Sequence, residues 1–415
     1  MELEVLASAK EIITGYWPHV SAAAISSVAV LGTALFTYFR RPKSSVASID
    51  PYFTEAALLS PPLARPAYSD RMAYVLAEMS DLAYYQFEGQ QGCVDDAVEN
   101  FMSLDVSKDT DVRAFLEQFS TDMMSGRRLQ LESMKKILSN SGFSLLDVID
   151  INETQGFACK RDVENEPSYV VLAFRGTEKK ISDWLTDARC VPAVKGKCKV
   201  HTGFHEAFTK KRDADGKTVK MAVEDILSLP EAKDDSGAPL PLFVTGHSLG
   251  GALALLATKL VVPNVNGACY TFGAPRIGNY EYFRQLKTPV YRVVNSSDIV
   301  PRVPPGAIMM GFVLAVQGMS WLTSFAPPVS AIFDRLGEFL DKLNGYRHFG
   351  DLRYLTDVAA GRFDTVRLLP NPPALERIMW LWTRIAKSLF VPVKSHSMRI
   401  YRKKLQKIAY DRNSA

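Results

Sequence analysis

A segment near the middle of the chain constrains the fold more than any other stretch. It reads PLFVTGHSLGGALALLATKL and runs from residue 241 to 260. Its first part, Leu242 to Thr245, is a short apolar run that predicts a buried strand, and Gly251 to Leu260 has an uninterrupted helical pattern. Between them, residues 246–250 match G-x-S-x-G, which places a sharp turn between strand and helix. Strand, sharp turn and helix in this order form the context in which the motif is meaningful.

Ser248 stands at the centre of this turn. Gly246 and Gly250 let the backbone turn tightly enough to present the serine above the sheet. The N-terminus of the following helix places backbone N–H groups and the positive end of the helix dipole beside it. We therefore predict that Ser248 is a nucleophile. A chance five-residue match is the alternative, and the flanking strand and helix disfavour it.

A serine nucleophile needs a base, and the base needs an acid that orients it. In the order Ser, Asp, His the base follows Ser248, which leaves His348 and His396. Asp298 comes just after the predicted strand 291–294, at the kind of strand end where such sheets place their chemistry. A turn residue before a proline is the alternative for Asp298. His396 lies beyond the last predicted strands and is favoured as the base, whereas His348 is predicted to be structural.

Ester hydrolysis also needs hydrogen-bond donors for the oxyanion of the tetrahedral intermediate. One predicted donor is the backbone N–H of Leu249, directly after the nucleophile. The second should come from a loop after an earlier strand. Residues 169–174 read as such a strand, and Thr177, shortly after it, offers a backbone N–H and a hydroxyl.

Taken in order, these motifs resemble the class 3 lipases, a family whose best-known members are fungal triacylglycerol lipases. The similar segments include AFRGT at 173–177, SDWLTDA at 182–188, VHTGF at 200–204, TFGAPRIGN at 271–279 and GYRHFGDLRYL at 345–355. The resemblance implies an α/β-hydrolase fold, in which helices flank a mostly parallel sheet. It assigns the catalytic triad to Ser248, Asp298 and His396, and the oxyanion hole to Thr177 and Leu249.

The same resemblance implies a lid over residues 178–189. Its apolar stripe would consist of Ile181, Trp184 and Leu185. The chain departs from the family pattern by an insertion at 306–345 and by a longer path to the base through 375–390. Substrate preference is therefore not transferable from the fungal lipases.

The insertion contains an uncharged stretch at 306–333, which reads GAIMMGFVLAVQGMSWLTSFAPPVSAIF. One membrane crossing here would separate Asp298 from His396, and two crossings need more residues than the stretch has. We expect an apolar cap, either packed on the hydrolase core or touching lipid at the interface. Plain buried core is the alternative. The Trp-bearing basic segment 375–390 is a second candidate for interfacial contact.

Residues 20–39 form an uncharged run long enough to cross a bilayer as one helix. Arg40, Arg41 and Lys43 follow it at once, so the positive-inside rule places the C-terminal side in the cytoplasm. A buried helix of a soluble domain is the alternative. The predicted organisation is an N-terminal segment at 1–43 with the transmembrane anchor, a linker at 44–66 and a hydrolase domain at 67–412.

Composition and residue spacing disfavour several classes of function. The net charge of +4 is too small to favour a nucleic-acid partner, and no cysteine or histidine spacing predicts a metal site or cofactor. The sequence therefore predicts a single-pass membrane serine lipase that hydrolyses tri- or diacylglycerol. A phospholipase A1-type enzyme and an esterase of soluble substrates are the enzymatic alternatives. A non-catalytic, membrane-tethered interaction protein is the alternative of another class.

Overall fold

The computed structural model describes most of the predicted hydrolase domain. Its described residues are 51–63, 67–84, 131–152, 154–176, 192–195, 197–212, 215–302, 346–356, 363, 365–373, 376–377 and 395–413. The predicted anchor, lid and apolar insertion lie outside these ranges, so what the sequence predicts for them stays a prediction. Within these ranges, no helix has both the length and the apolar composition that a membrane crossing requires.

An eight-stranded mixed sheet forms the centre of the fold, in the order β1-β2-β3-β6-β7-β8-β9-β10. The five strands from β3 to β9 in this order run parallel, whereas β1, β2 and β10 pair antiparallel at the two edges. A separate antiparallel pair joins β4 to β5. The strands are β1 (Phe143–Ile151), β2 (Thr154–Arg161), β3 (Tyr169–Phe174), β4 (Pro192–Lys195), β5 (Cys198–His201), β6 (Leu242–His247), β7 (Gly267–Phe272), β8 (Val290–Asn295), β9 (Asp351–Leu355) and β10 (Leu368–Pro370).

Helices cover both faces of this sheet, which confirms the predicted mostly parallel α/β architecture. One face packs against α1, α2 and α7, and the other against α3, α4 and α5. The helices are α1 (70–84), α2 (131–140), α3 (Thr202–Thr209), α4 (Val219–Ser228), α5 (Leu249–Leu260), α6 (Tyr280–Phe283) and α7 (Met398–Asn413).

Strand β3 explains why the core has two halves. Its sequence YVVLAF is apolar at every position, as expected for a strand that is covered on both faces. Because side chains alternate across a strand, Val171 enters one half of the core with Tyr169, while Leu172 enters the other with Phe174. The sheet is thus held between two helical layers. The carboxyl ends of its parallel strands all lie on the same side of the sheet.

A buried ion-pair cluster fixes α7 against α1. Arg402 on α7 donates to Glu78 over 2.6 Å and to Asp81 over 2.5 Å, both on α1. The same guanidinium donates to the carbonyl of Pro51 and lies over the ring of Tyr52. Because α7 starts just after His396, this cluster also fixes the position of that histidine.

Candidate active site

Ser248 occupies the sharp turn between β6 and α5. Its backbone has φ +58° and ψ −125°, a conformation that non-glycine residues rarely adopt. The serine N–H donates to the carbonyl of Phe272 on β7 over 2.9 Å, which ties the turn to the neighbouring strand. The side chain is almost completely buried. The turn thus holds Ser248 in a strained conformation at the N-terminus of α5.

The first turn of α5 packs closely at Gly250 against the chain that follows β3. A Cβ at Gly250 would lie 2.2 Å from the carbonyl oxygen of Phe174, the last residue of β3. The first turn of α5 therefore touches the backbone that leads to Thr177, which itself lies outside the described residues. As the first helical residue, Leu249 has a backbone N–H without an acceptor inside the helix.

Asp298 and His396 form a close pair. The Nδ1 atom of His396 lies 3.0 Å from Oδ1 and 2.9 Å from Oδ2 of Asp298. A carboxylate accepts hydrogen bonds, so Nδ1 carries the proton, and this N–H donates a hydrogen bond to the two oxygens. The remaining nitrogen, Nε2, is then the basic one in the neutral ring.

Two further donors complete the surroundings of the Asp298 carboxylate, which is fully buried. The hydroxyl of Tyr401 donates to Oδ2 over 2.6 Å, and the backbone N–H of Val300 donates to Oδ1 over 2.9 Å. Burial raises the pKa of Tyr401 well above its ordinary value, and the nearby Asp298 charge raises it further. The phenol therefore stays protonated and remains a donor. These donors compensate the negative charge of the buried carboxylate for the water that it has lost.

Gly273 gives the pair the room it needs. It follows β7 with φ +59°, and a Cβ there would lie 2.7 Å from Oδ2 of Asp298 and 3.1 Å from the ring of His396. A side chain at this position would overlap the carboxylate. The glycine is therefore required both by its backbone conformation and by this close approach.

His247, the second residue of the G-x-S-x-G motif, connects the serine turn to His396, the predicted base. Its Nε2 lies 2.7 Å from the backbone carbonyl of His396, and its Nδ1 lies 3.0 Å from the hydroxyl of Tyr84 on α1. Because a carbonyl only accepts, Nε2 carries the proton and Nδ1 accepts from Tyr84. Burial lowers the pKa of His247 well below its usual value, as does the proximity of His396. The ring is therefore neutral and positions the neighbouring histidine.

The reactive atoms of the predicted triad lie in buried surroundings. Neither the Oγ of Ser248 nor the Nε2 of His396 has a hydrogen-bond partner within the described part of the chain. The structure brings His396 and Asp298 into direct contact. Ser248 directly follows His247, whose ring lies against that of His396. The predicted nucleophile, the predicted base and the hydrogen-bonded carboxylate of Asp298 thus lie in one part of the fold.

His348, the other late histidine, has different surroundings. Its Nε2 lies 2.6 Å from the carbonyl oxygen of Pro301, three residues after Asp298. Burial lowers the pKa of His348 well below its ordinary value, and Arg292 and Arg276 lower it further. A neutral histidine that donates to a backbone carbonyl stabilises this loop.

The sequence predicts roles for Ser248, Asp298 and His396 but assigns none to three residues around them. These are His247, Gly273 and Tyr401. His247 and Gly273 lie inside segments that resemble the family, and Tyr401 follows the predicted base by five residues, yet the contacts of all three depend on distant parts of the chain. The predicted lid residues Ile181, Trp184 and Leu185 lie outside the described ranges.

Comparison with known proteins identifies a protein family and individual proteins to which the chain is similar. Residues 171–307 match the family model described as lipase (class 3), which confirms the resemblance over this span. The chloroplastic phospholipase A1-Igamma2 of Arabidopsis thaliana is 30% identical over 207 residues, covering 41% of this chain and 38% of that protein. A lipase of Rhizomucor miehei is 31% identical over 190 residues, covering 43% of this chain and 47% of that protein. The similarity thus spans less than half the length of both curated relatives.

Among solved structures, the lipase from Rhizopus microsporus var. chinensis is similar to this chain. The two are 20% identical with a TM-score of 0.37, and the match covers 75% of this chain and 84% of the other.

Proposed function

We propose that this protein hydrolyses acyl ester bonds of glycerolipids through Ser248, His396 and Asp298. The observation that carries the proposal is the pairing of His396 Nδ1 with both oxygens of Asp298, close to a strained serine turn. This pairing leaves the basic Nε2 for the serine proton. The class 3 lipase match and the relatives named lipase and phospholipase A1 support a carboxylic ester hydrolase.

The proposed reaction proceeds through an acyl-enzyme. Ser248 Oγ attacks the ester carbonyl as its proton passes to His396 Nε2, and Asp298 stabilises the imidazolium. The backbone N–H of Leu249, at the positive end of α5, and the predicted donor Thr177 stabilise the oxyanion. The imidazolium then protonates the leaving alcohol. Water, deprotonated by the same nitrogen, releases the fatty acid and restores the serine.

The experiment compares wild type with Ser248→Ala in two assays, fluorophosphonate labelling and hydrolysis of emulsified long-chain triacylglycerol and diacylglycerol. We expect labelling and hydrolysis in wild type and neither in the variant. Equal results for both proteins would exclude the proposal. Absence of labelling and of hydrolysis in both proteins would favour the alternative that the fold is a non-catalytic interaction module.

A phospholipase A1-type activity is the second candidate. It is favoured by the similarity to a plant protein that carries this name. Hydrolysis of phosphatidylcholine vesicles, with the released fatty acid assigned to its glycerol position, separates this activity from hydrolysis of neutral glycerides. An esterase of soluble substrates would instead cleave acetate esters as well as it cleaves emulsified tributyrin.

We also propose that residues 20–39 anchor the protein in a membrane, with 67–412 on the cytoplasmic side. The length of the apolar run and the basic residues after it support this topology. Residues 306–333 and 375–390 are proposed to touch the bilayer near the active site. We expect the full chain to resist carbonate extraction and a variant lacking 1–43 to be released. Release of the full chain would contradict the anchor.

A further inference from the structure

Asn295 is the last residue of β8 and precedes Asp298 by three positions. It is 1% exposed, and each nitrogen and oxygen atom of its side chain has a hydrogen-bond partner. Nδ2 donates to the backbone carbonyl of Ser395 over 2.8 Å. Oδ1 accepts from Lys404 Nζ over 2.6 Å and from the backbone N–H of Ser296 over 3.1 Å. The side chain therefore connects the end of β8 to the segment that precedes α7.

Lys404 on α7 fixes which way the Asn295 amide points. An ammonium group only donates, so the atom that faces Nζ is the accepting Oδ1, and the NH₂ group faces the Ser395 carbonyl. Lys404 is itself buried, and its Nζ also donates to the backbone carbonyl of Thr356, just after β9, over 2.8 Å. The amide thus has one orientation, and in that orientation Nδ2 is a donor to Ser395.

The backbone of His396 is held on both sides of its Cα atom. The Ser395 carbonyl belongs to the peptide unit before His396, and the His396 carbonyl belongs to the unit after it. Asn295 Nδ2 donates to the first over 2.8 Å, and His247 Nε2 donates to the second over 2.7 Å. Because peptide units are planar, holding both units fixes φ and ψ of His396. Two side chains, from the ends of β8 and β6, therefore set the direction in which the imidazole leaves the backbone.

The backbone of Asn295 reaches the other half of the His396–Asp298 pair. Its carbonyl accepts from the Asp298 N–H over 3.0 Å, which closes the turn that presents the carboxylate. Its N–H donates to the Tyr401 hydroxyl over 2.9 Å, and that hydroxyl donates to Oδ2 of Asp298 over 2.6 Å. One buried residue thus contacts both the turn that carries the acid and the segment that carries the base.

We propose that Asn295 is a positioning residue for His396, with its amide oriented by Lys404. The inference rests on the proposed function, in which His396 Nε2 takes the proton of Ser248. Asn295 acts on this step through the Ser395 carbonyl. Proton transfer depends steeply on the geometry of donor and acceptor, so a small displacement of the imidazole lowers the rate of the chemical step more than it weakens substrate binding.

The first experiment separates positioning from a contribution to stability alone. Asn295→Asp keeps an acceptor for Lys404 but replaces the donor to Ser395 by an oxygen, whereas Asn295→Ala removes both groups. In urea unfolding, Asn295→Asp should therefore be the more stable of the two variants. Both should nevertheless lose about tenfold in kcat for tributyrin, with KM changed by less than about twofold.

Asn279→Asp is the matched control. Nδ2 of Asn279 donates to the backbone carbonyl of Lys197 over 2.7 Å, and its Oδ1 accepts from the N–H groups of Lys199 and Tyr282. The same substitution thus removes the same kind of donor, but the bonds lie around β5 and α6 rather than at the segment that carries His396. The kcat of this variant should equal that of wild type.

Two outcomes would overturn the positioning role. One is wild-type kcat in Asn295→Asp, even beside an inactive Asn295→Ala, because activity would then follow stability rather than the contact with Ser395. The other is failure of both variants to fold, which would show that Asn295 serves the fold rather than His396. If one variant fails to fold, the kcat of the other decides.

The second experiment observes the base without relying on hydrolysis. It records the ¹³C–¹H NMR signal of His396 Cε1 in the full chain in detergent micelles, and His396→Gln identifies that signal by its loss. The signal should shift in Asn295→Ala, which changes no charge, and stay in place in Asn279→Asp. An unmoved signal in Asn295→Ala contradicts positioning even in an active enzyme. If the signal moves but wild type neither cleaves tributyrin nor reacts with fluorophosphonate, the proposed function fails while the positioning of His396 stands.

Discussion

The ring of His247 stacks on the ring of His396 at a centroid distance of 4.5 Å, and its Nε2 donates to the His396 backbone carbonyl over 2.7 Å. The residue before the proposed nucleophile therefore holds the backbone of the proposed base. Tyr84 on α1 donates to the other nitrogen of His247 and fixes its orientation. The relative position of Ser248 and His396 thus depends on a neutral histidine between them.

Replacing His247 by phenylalanine keeps a ring of similar size but removes this donor. We expect kcat for tributyrin to fall about tenfold with little change in KM, because the base loses one of its supports. The rate of fluorophosphonate labelling should fall in parallel. Tyr84→Phe, which removes only the outer hydrogen bond, should have a smaller effect. Wild-type kinetics in His247→Phe would show that the contact has no positioning role.

His247 should also make folding stability depend on pH. Its pKa in the folded protein lies well below the unfolded value of about 6.5. Below pH 6.5 the unfolded chain binds a proton that the folded protein rejects, so stability falls with acid by up to about 1.4 kcal/mol per pH unit. Urea unfolding at pH 7.5, 6.5 and 5.5 should show wild type losing stability relative to His247→Phe. Parallel pH profiles for the two proteins would contradict this linkage.

Tyr401→Phe removes one donor from the buried Asp298 carboxylate. The bonds from His396 and Val300 remain, so the protein should fold with a loss of about 1–3 kcal/mol and with kcat lowered about tenfold. Tyr410→Phe on the same helix is the control, because Tyr410 is half exposed. Chemical denaturation and tributyrin kinetics measure both effects. Equal behaviour of the two variants would mean that the Tyr401 hydroxyl is dispensable.

Gly273→Ala tests the close approach to Asp298 and His396. Its matched control is Gly237→Ala, which has a similar positive φ of +81° but no atom within 4 Å of the added Cβ. Both variants incur the backbone penalty, whereas Gly273→Ala also incurs the overlap, so it should be about 1–3 kcal/mol less stable than the control. It should also lose most of its esterase activity. Equal activity and equal stability of the two variants would show that the loop accommodates the added methyl group without loss of either.

Arg402→Met leaves Glu78 and Asp81 without their buried partner. We expect a loss of about 3–5 kcal/mol in the free energy of unfolding, since uncompensated buried charge is costly. Arg412→Met removes an exposed pair with Asp70 and should cost about 0–1 kcal/mol. Adding Glu78→Gln and Asp81→Asn to Arg402→Met should restore part of the stability. No recovery would indicate that packing, rather than charge, makes Arg402 important.

The amino-acid sequence predicts the fold where the pattern is local. The apolar run of β3 and the strand–turn–helix around Ser248 are readable because strand, glycine turn and helix follow one another directly. The apolar pattern of Leu352–Thr356 likewise predicts β9. These local signals suffice for the parallel sheet and for the position of the serine.

What the sequence does not reveal depends on long-range contacts. His247 meets His396 across 149 positions, and Tyr401 meets Asp298 across 103. No local periodicity encodes such pairings, because they arise only when α7 packs beside the sheet. Position along the chain favours His396 over His348, but the geometry around both becomes visible only in the folded protein.

The contact between Arg402 and Glu78 joins positions 324 residues apart. Proteins are synthesised from the N-terminus, so α1 leaves the ribosome long before the helix that covers it. Ser248 and Asp298 likewise emerge before His396. A nascent chain therefore carries the proposed nucleophile and acid for some time without a base. The proposed ester hydrolysis should therefore begin only after α7 has been translated and docked, and a chain cut before residue 395 should be inert toward esters.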